Sequence, residues 1–138
     1  MNYVQSNTKR GPITVATATD MTGKEGYLVT LTNASGVATA ALPGAVTDIA
    51  CYVVTNAITS TLAEIQPLTP DVQVRIVANG TSNLTIGSKV VGFASSKAGL
   101  ASPYTGSGAA FIVGICEENS AADGQYLKIR PLLTYWTA

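Results

Sequence analysis

Phe111-Ile112-Val113-Gly114-Ile115-Cys116 is an apolar run of strand length. A second run, Tyr126-Leu127-Lys128-Ile129-Arg130-Pro131-Leu132-Leu133, follows it after the polar connection Glu117 to Gly124. Leu127 and Ile129 alternate with Tyr126, Lys128 and Arg130, the period of two that turns one face of a strand to a core and the other to water. Asp123-Gly124 is a turn signal, because a turn into a strand often needs a positive φ that glycine adopts without a Cβ clash. The two runs are expected to form a hairpin around which the rest of the chain packs. Its loop of about eight residues is longer than the commonest two-residue hairpin turn, which leaves the pairing register open.

Upstream, the same kind of reading recurs. Ile13 to Ala18 alternates and is rich in β-branched residues, so it is expected to be a first strand, and Asp20 to Gly26 a loop. Tyr27-Leu28-Val29-Thr30-Leu31-Thr32 predicts a strand with Tyr27, Val29 and Leu31 on one face and Leu28, Thr30 and Thr32 on the other. Asn33-Ala34-Ser35-Gly36 ends it, and Val37 to Leu42 is a weak apolar segment before the turn dipeptide Pro43-Gly44. Ile49 to Thr55 is a continuous apolar run, expected to be buried on both faces. Through Leu62, Ile65 and Leu68 no element is assigned, because Pro67 and Pro70 limit any helix. Val72, Val74 and Ile76 alternate with Gln73 and Arg75 and read as the cleanest strand. Leu84-Thr85-Ile86 predicts a short strand, and Lys89 to Ala94 another.

About eight short strands at spacings of ten to fifteen residues, divided by Gly, Pro and Asn turns, predict an all-β fold: a small antiparallel β-barrel or sandwich. Residues 1–12 are polar and without period, and read as an extended N-terminal arm, either frayed or ordered by a partner. Residues 13–138 form a single β-domain, the usual outcome for 138 residues.

Composition narrows the function. Only 12% of residues are charged, about half the usual share of roughly 25%. Eight basic and eight acidic side chains balance to a formal net charge of zero, with no basic run beyond Lys9-Arg10, which argues against nucleic-acid binding. A surface built from Thr, Ser, Asn, Gly and Ala suits a protein packed against neighbours. No apolar run approaches a membrane span, and the start lacks the basic and apolar regions of a signal peptide, so a soluble protein made in the cytoplasm is expected.

The chain has no histidine, which removes Ser-His-Asp and Cys-His catalysis and the commonest zinc sites. No catalytic residue, cofactor or metal is expected. Cys51 and Cys116 lie in apolar runs and read as reduced core residues; a bridge needs a proximity that sequence does not fix. Glu117, Glu118, Asn119 and Asp123 lack the spacing of a calcium loop and read as a solvated turn. Gly106-Ser107-Gly108 fails as a phosphate loop and reads as a flexible connection. The segment Ser95 to Gly108 is long enough to be a functional or partner-ordered loop. Tyr135-Trp136 is either an interface anchor, as aromatic residues often are, or a tail folded back on its own domain.

From Gly87 onward the layout is Gly, Lys89-Val90-Val91, a Gly/Ser/Ala/Pro loop, Phe111-Ile112-Val113-Gly114-Ile115, Asp123-Gly124, and a closing strand Leu127-Lys128-Ile129. This resembles the capsid decoration, or cement, proteins of tailed bacteriophages, and Gly36-Val37 followed by Pro43-Gly44 is similar to the first half of that family. The resemblance covers roughly Tyr27 to Leu133 and rests on short glycine-based motifs. It implies a virion protein that binds the outside of the head through the major capsid protein and reinforces junctions between capsid subunits. It also implies a homo-oligomer, a trimer in preference to a dimer. Candidate contacts with the capsid or between subunits are Lys9, Arg10, Pro103, Tyr104, Tyr135 and Trp136. The alternative is a carbohydrate- or receptor-binding β-module of a phage fibre or spike.

Overall fold

The computed structural model describes residues 11–80, 84–95, 97–106, 108–120 and 124–137, and these form ten strands with no helix. β1 (Ile13–Thr17), β2 (Leu28–Ala34), β3 (Val37–Ala41), β4 (Tyr52–Ala57) and β5 (Leu62–Pro67) close a barrel in the order β1-β3-β2-β4-β5. Four of its pairings are antiparallel, and β1 runs parallel to β3. The parallel pair follows from the tight β2–β3 hairpin, which reverses the chain and lays its second strand beside β1. Val15, Met21, Val29, Ala40, Val54, Ala63 and Ile65 form the barrel core.

β6 (Val74–Val77), β7 (Lys89–Val91), β8 (Ser102–Pro103), β9 (Ala110–Cys116) and β10 (Tyr126–Trp136) make a second sheet in the order β6-β10-β9-β7-β8. A bridge between Ala78 and Ala101 draws together the chain beyond β6 and the chain before β8, at the two ends of this order. The expected hairpin is β9–β10, with Ile129 opposite Cys116 and Pro131 opposite Gly114. Past that point Leu132 and Leu133 together oppose Val113, a one-residue bulge at which Leu133 takes a φ of 54°. Gly124 has the positive φ its turn requires; Asp123 lies outside the described residues.

The larger core joins the two halves. Leu28 and Val53 meet Ile76, Val90, Val113, Leu127 and Ile129, while their neighbours Val29 and Val54 face the barrel interior. β2 and β4 are therefore walls shared by two cores. Leu28 and Val29 thus lie on opposite faces, as the alternation expects, but both are buried; Leu31 is 36% exposed, and Tyr27 precedes the strand.

Other expectations change for similar reasons. β5 is a strand where none was assigned, with Ala63 and Ile65 inward and Glu64 half-buried between them; Pro67 is tolerated as its last residue. β6 starts at Val74 rather than Val72, whose side chain is 57% exposed. Ile49 is exposed ahead of β4; in the run expected to be buried on both faces, Ala50, Val53 and Val54 are buried. Around Leu84 only a bridge to Ser120 forms, and Ile86 is exposed. The segment from Ser95 to Gly108 is not one open loop: it buries Leu100, Ala101 and Ser102 and contains β8. Cys51 and Cys116 are both free thiols, Cys116 buried and Cys51 half-buried against the same core.

Candidate functional site

The acidic side chains singled out in the sequence have partners on neighbouring elements. In the turn after β9, Glu117 takes an ion pair from Arg130 Nε at 3.2 Å and a hydrogen bond from Gln73 Nε2 at 3.0 Å. Glu118 lies 3.9 Å from Lys128 Nζ, and Asn119 Oδ1 accepts from the Ile86 amide at 2.9 Å. These are partners of a solvated turn. Among the described residues no group of three Cys, Asp or Glu side chains could hold a metal ion. Burial pushes the Cys116 thiol up to about 11 and raises that of Cys51, so both resist forming the thiolate that a nucleophile needs.

The described candidate interface residues lie on a surface of the second sheet. β8 places Pro103 opposite Val90, and the next amide, that of Tyr104, donates to the Lys89 carbonyl at 2.9 Å. The Tyr104 ring packs against Val91, Ala110 and Ile112, and its hydroxyl donates to the Gly108 carbonyl at 2.9 Å. Trp136, at the end of β10, stands opposite Ala110, and Lys89 Nζ sits 4.4 Å from the centre of its ring. That is the geometry of a cation–π contact. Three of the six candidate residues, Pro103, Tyr104 and Trp136, are thus brought to one part of the second sheet around Lys89. The indole is 43% exposed, so the contact holds its orientation while leaving part of the ring to a partner.

Tyr135 is one residue away, and its side chain is directed to the other side of the strand. Its ring lies 6.1 Å from that of Phe111, tilted by 59°, and its hydroxyl donates to the Thr47 carbonyl at 2.6 Å. The C-terminal aromatics are therefore paired into their own sheet rather than loose, and both still offer a half-exposed ring. Lys9 and Arg10 lie outside the described residues. Lys89, which organises the surface, was not singled out from the sequence. The available signal was a lone cation two positions from Val91 in a strand, where period two puts it on the same face.

No protein-family model matches the chain, and neither a curated protein nor a solved structure is found similar to it.

Proposed function

We propose that this protein is a structural component of a tailed-phage virion, a decoration protein that binds the outside of the head and reinforces junctions between major capsid subunits as a homo-oligomer. The observation that carries the reading is the Pro103–Tyr104–Lys89–Trp136 surface: half-exposed aromatic groups held in fixed orientation on a rigid sheet. Aromatic anchors of this kind supply much of the energy of protein interfaces. The low charge of the chain agrees with it, as does the resemblance of its glycine-based layout to cement proteins. A carbohydrate- or receptor-binding module is the second class, and the Lys89 ammonium on one face of the Trp136 ring leaves less of the indole for a sugar to stack on.

Sedimentation of the purified protein with empty heads tests the reading. Binding is expected, with a loss of about 2 kcal/mol for Trp136→Ala. It should change little as salt is raised, because few charges take part. No co-sedimentation at micromolar protein would end the proposal, whereas binding that Trp136→Ala leaves intact would keep the function and move its surface.

A further inference from the structure

Between the end of β5 and the start of β6 lies a groove of about 540 Å³, walled by Gln66, Pro67, Leu68, Asp71, Val72 and Val74. Val72 leaves more than half its surface open to water, and such an aliphatic wall is stabilised by an apolar group that covers it. Asp71 is exposed, and among the described residues no cation pairs with its carboxylate; Arg130 reaches only its backbone carbonyl, at 3.3 Å. The converse feature stands at the end of β10. There Trp136 presents a half-exposed indole, and the Lys89 beside it has no carboxylate partner among the described residues. We propose that the two features are halves of one contact between copies of this chain: the indole of one copy enters the groove of the next, and Lys89 pairs with Asp71. This contact rests on the homo-oligomer of the proposed function and says where its copies meet.

Three observations choose a second copy as the occupant. The first is charge. An acid flanks the groove and a base flanks the indole, so seating one in the other pairs two charges that each lack a partner. The second is size. Pockets that enclose a small molecule hold roughly 300–1,000 Å³, so the groove has room for a bicyclic ring, and Trp136 is the chain's only tryptophan. Tyr135, by contrast, is tied to its own chain through the Thr47 carbonyl.

The third is position. Val74, on the groove wall, stands opposite Ile129, and Trp136 lies seven residues further along the same strand, roughly 20 Å away. A molecule therefore cannot fill its own groove. Because indole and groove are different patches, the contact is head-to-tail, and it closes into a ring when the rotation between copies allows. In a closed ring every indole is seated and every groove filled. Loss of the ring also weakens attachment to a head, since separate copies forgo the avidity of a linked set.

Trp136 reports on its own seat. Sedimentation equilibrium and tryptophan emission, followed over a dilution series of the full chain, are expected to change together: dissociation on dilution, with emission moving to longer wavelength. Val72→Arg, which fills the groove and repels Lys89, should weaken association about tenfold or more with the circular dichroism unchanged. If Val72→Arg does not fold, Val72→Ser carries the same comparison. Asp71→Lys and Lys89→Asp should each weaken association, and the two combined in one chain should restore it. Val37→Arg, at a similarly exposed aliphatic in β3, should have no effect. A parent that stays monomeric overturns the proposal. So does association that Val72→Arg and Trp136→Ala leave intact, or a double variant no stronger than its singles. An oligomer that responds as expected but does not sediment with heads supports this interface and ends the capsid reading.

Discussion

Gly114 lies close against β10: a Cβ built on it would lie 2.4 Å from the Arg130 carbonyl oxygen and 3.1 Å from the Pro131 Cα. Neither contact can be relieved by turning a side chain, since both are backbone. Gly114→Ala is therefore expected to destabilise the domain by several kcal/mol, in the range reserved for core overpacking and backbone strain, and a denaturant melt measures it. A variant as stable as the parent would mean that the two strands are further apart than described. One strand over, Ile129 is fully buried and Lys128 half-exposed. Ile129→Asp should unfold the protein, because an unpaired buried carboxylate costs about as much as a domain's whole stability. Lys128→Asp should leave it folded, losing only its exposed ion pair with Glu118. Equal melting of the two variants would contradict the register. The inward set of β10 was legible because Leu127 and Ile129 alternate with charge; the need for glycine at 114 was not, since it arises from a neighbour distant in sequence.

The hairpin of β2 and β3 turns on two residues, Ser35 and Gly36, with φ of 52° and 84°. Positive φ at both is the type I′ turn, whose twist matches that of the strands it joins. The Gly36 amide also donates to Asn33 Oδ1 at 2.6 Å. Gly36→Val puts a β-branched residue in the left-handed region, and a loss of about 1–3 kcal/mol in thermal or urea unfolding is expected. A loss below about 0.3 kcal/mol would show that the turn relaxes to another type. The element scale is also where sequence and structure part. β9 and β10 were readable because an apolar run and an alternating run flank a turn signal. β5 was not, since Ala63 is too small to register as half of an alternation and Pro67 argued for a break. At β2 the two faces were readable but not their surroundings: a strand with a core on each side has no outward face, and both Leu28 and Val29 are buried. For the surface around Trp136, the aromatic residues could be named from sequence, but their meeting with Lys89 depends on the order β10-β9-β7, which local pattern does not encode.

For the whole molecule, the shared walls β2 and β4 mean that neither core can be lost alone. Leu28→Ala, which opens a cavity in the larger core, is expected to cost about 2–5 kcal/mol. It should lower one cooperative transition, seen alike in far-ultraviolet circular dichroism and in the fluorescence of Trp136. Two separated transitions would show that the barrel and the second sheet melt independently, and a helical spectrum would contradict the fold itself. β10 bears on a different property. It is eleven residues long, bonded to β6 over its first part and to β9 over most of its length, and it ends at the exposed Trp136. A tug on that end runs along the strand, at right angles to the bonds that hold it. Those bonds are loaded together, in shear, instead of being peeled one after another as at a frayed hairpin. A pull on Trp136 therefore acts on an interior strand of the second sheet, the arrangement that best resists mechanical unfolding.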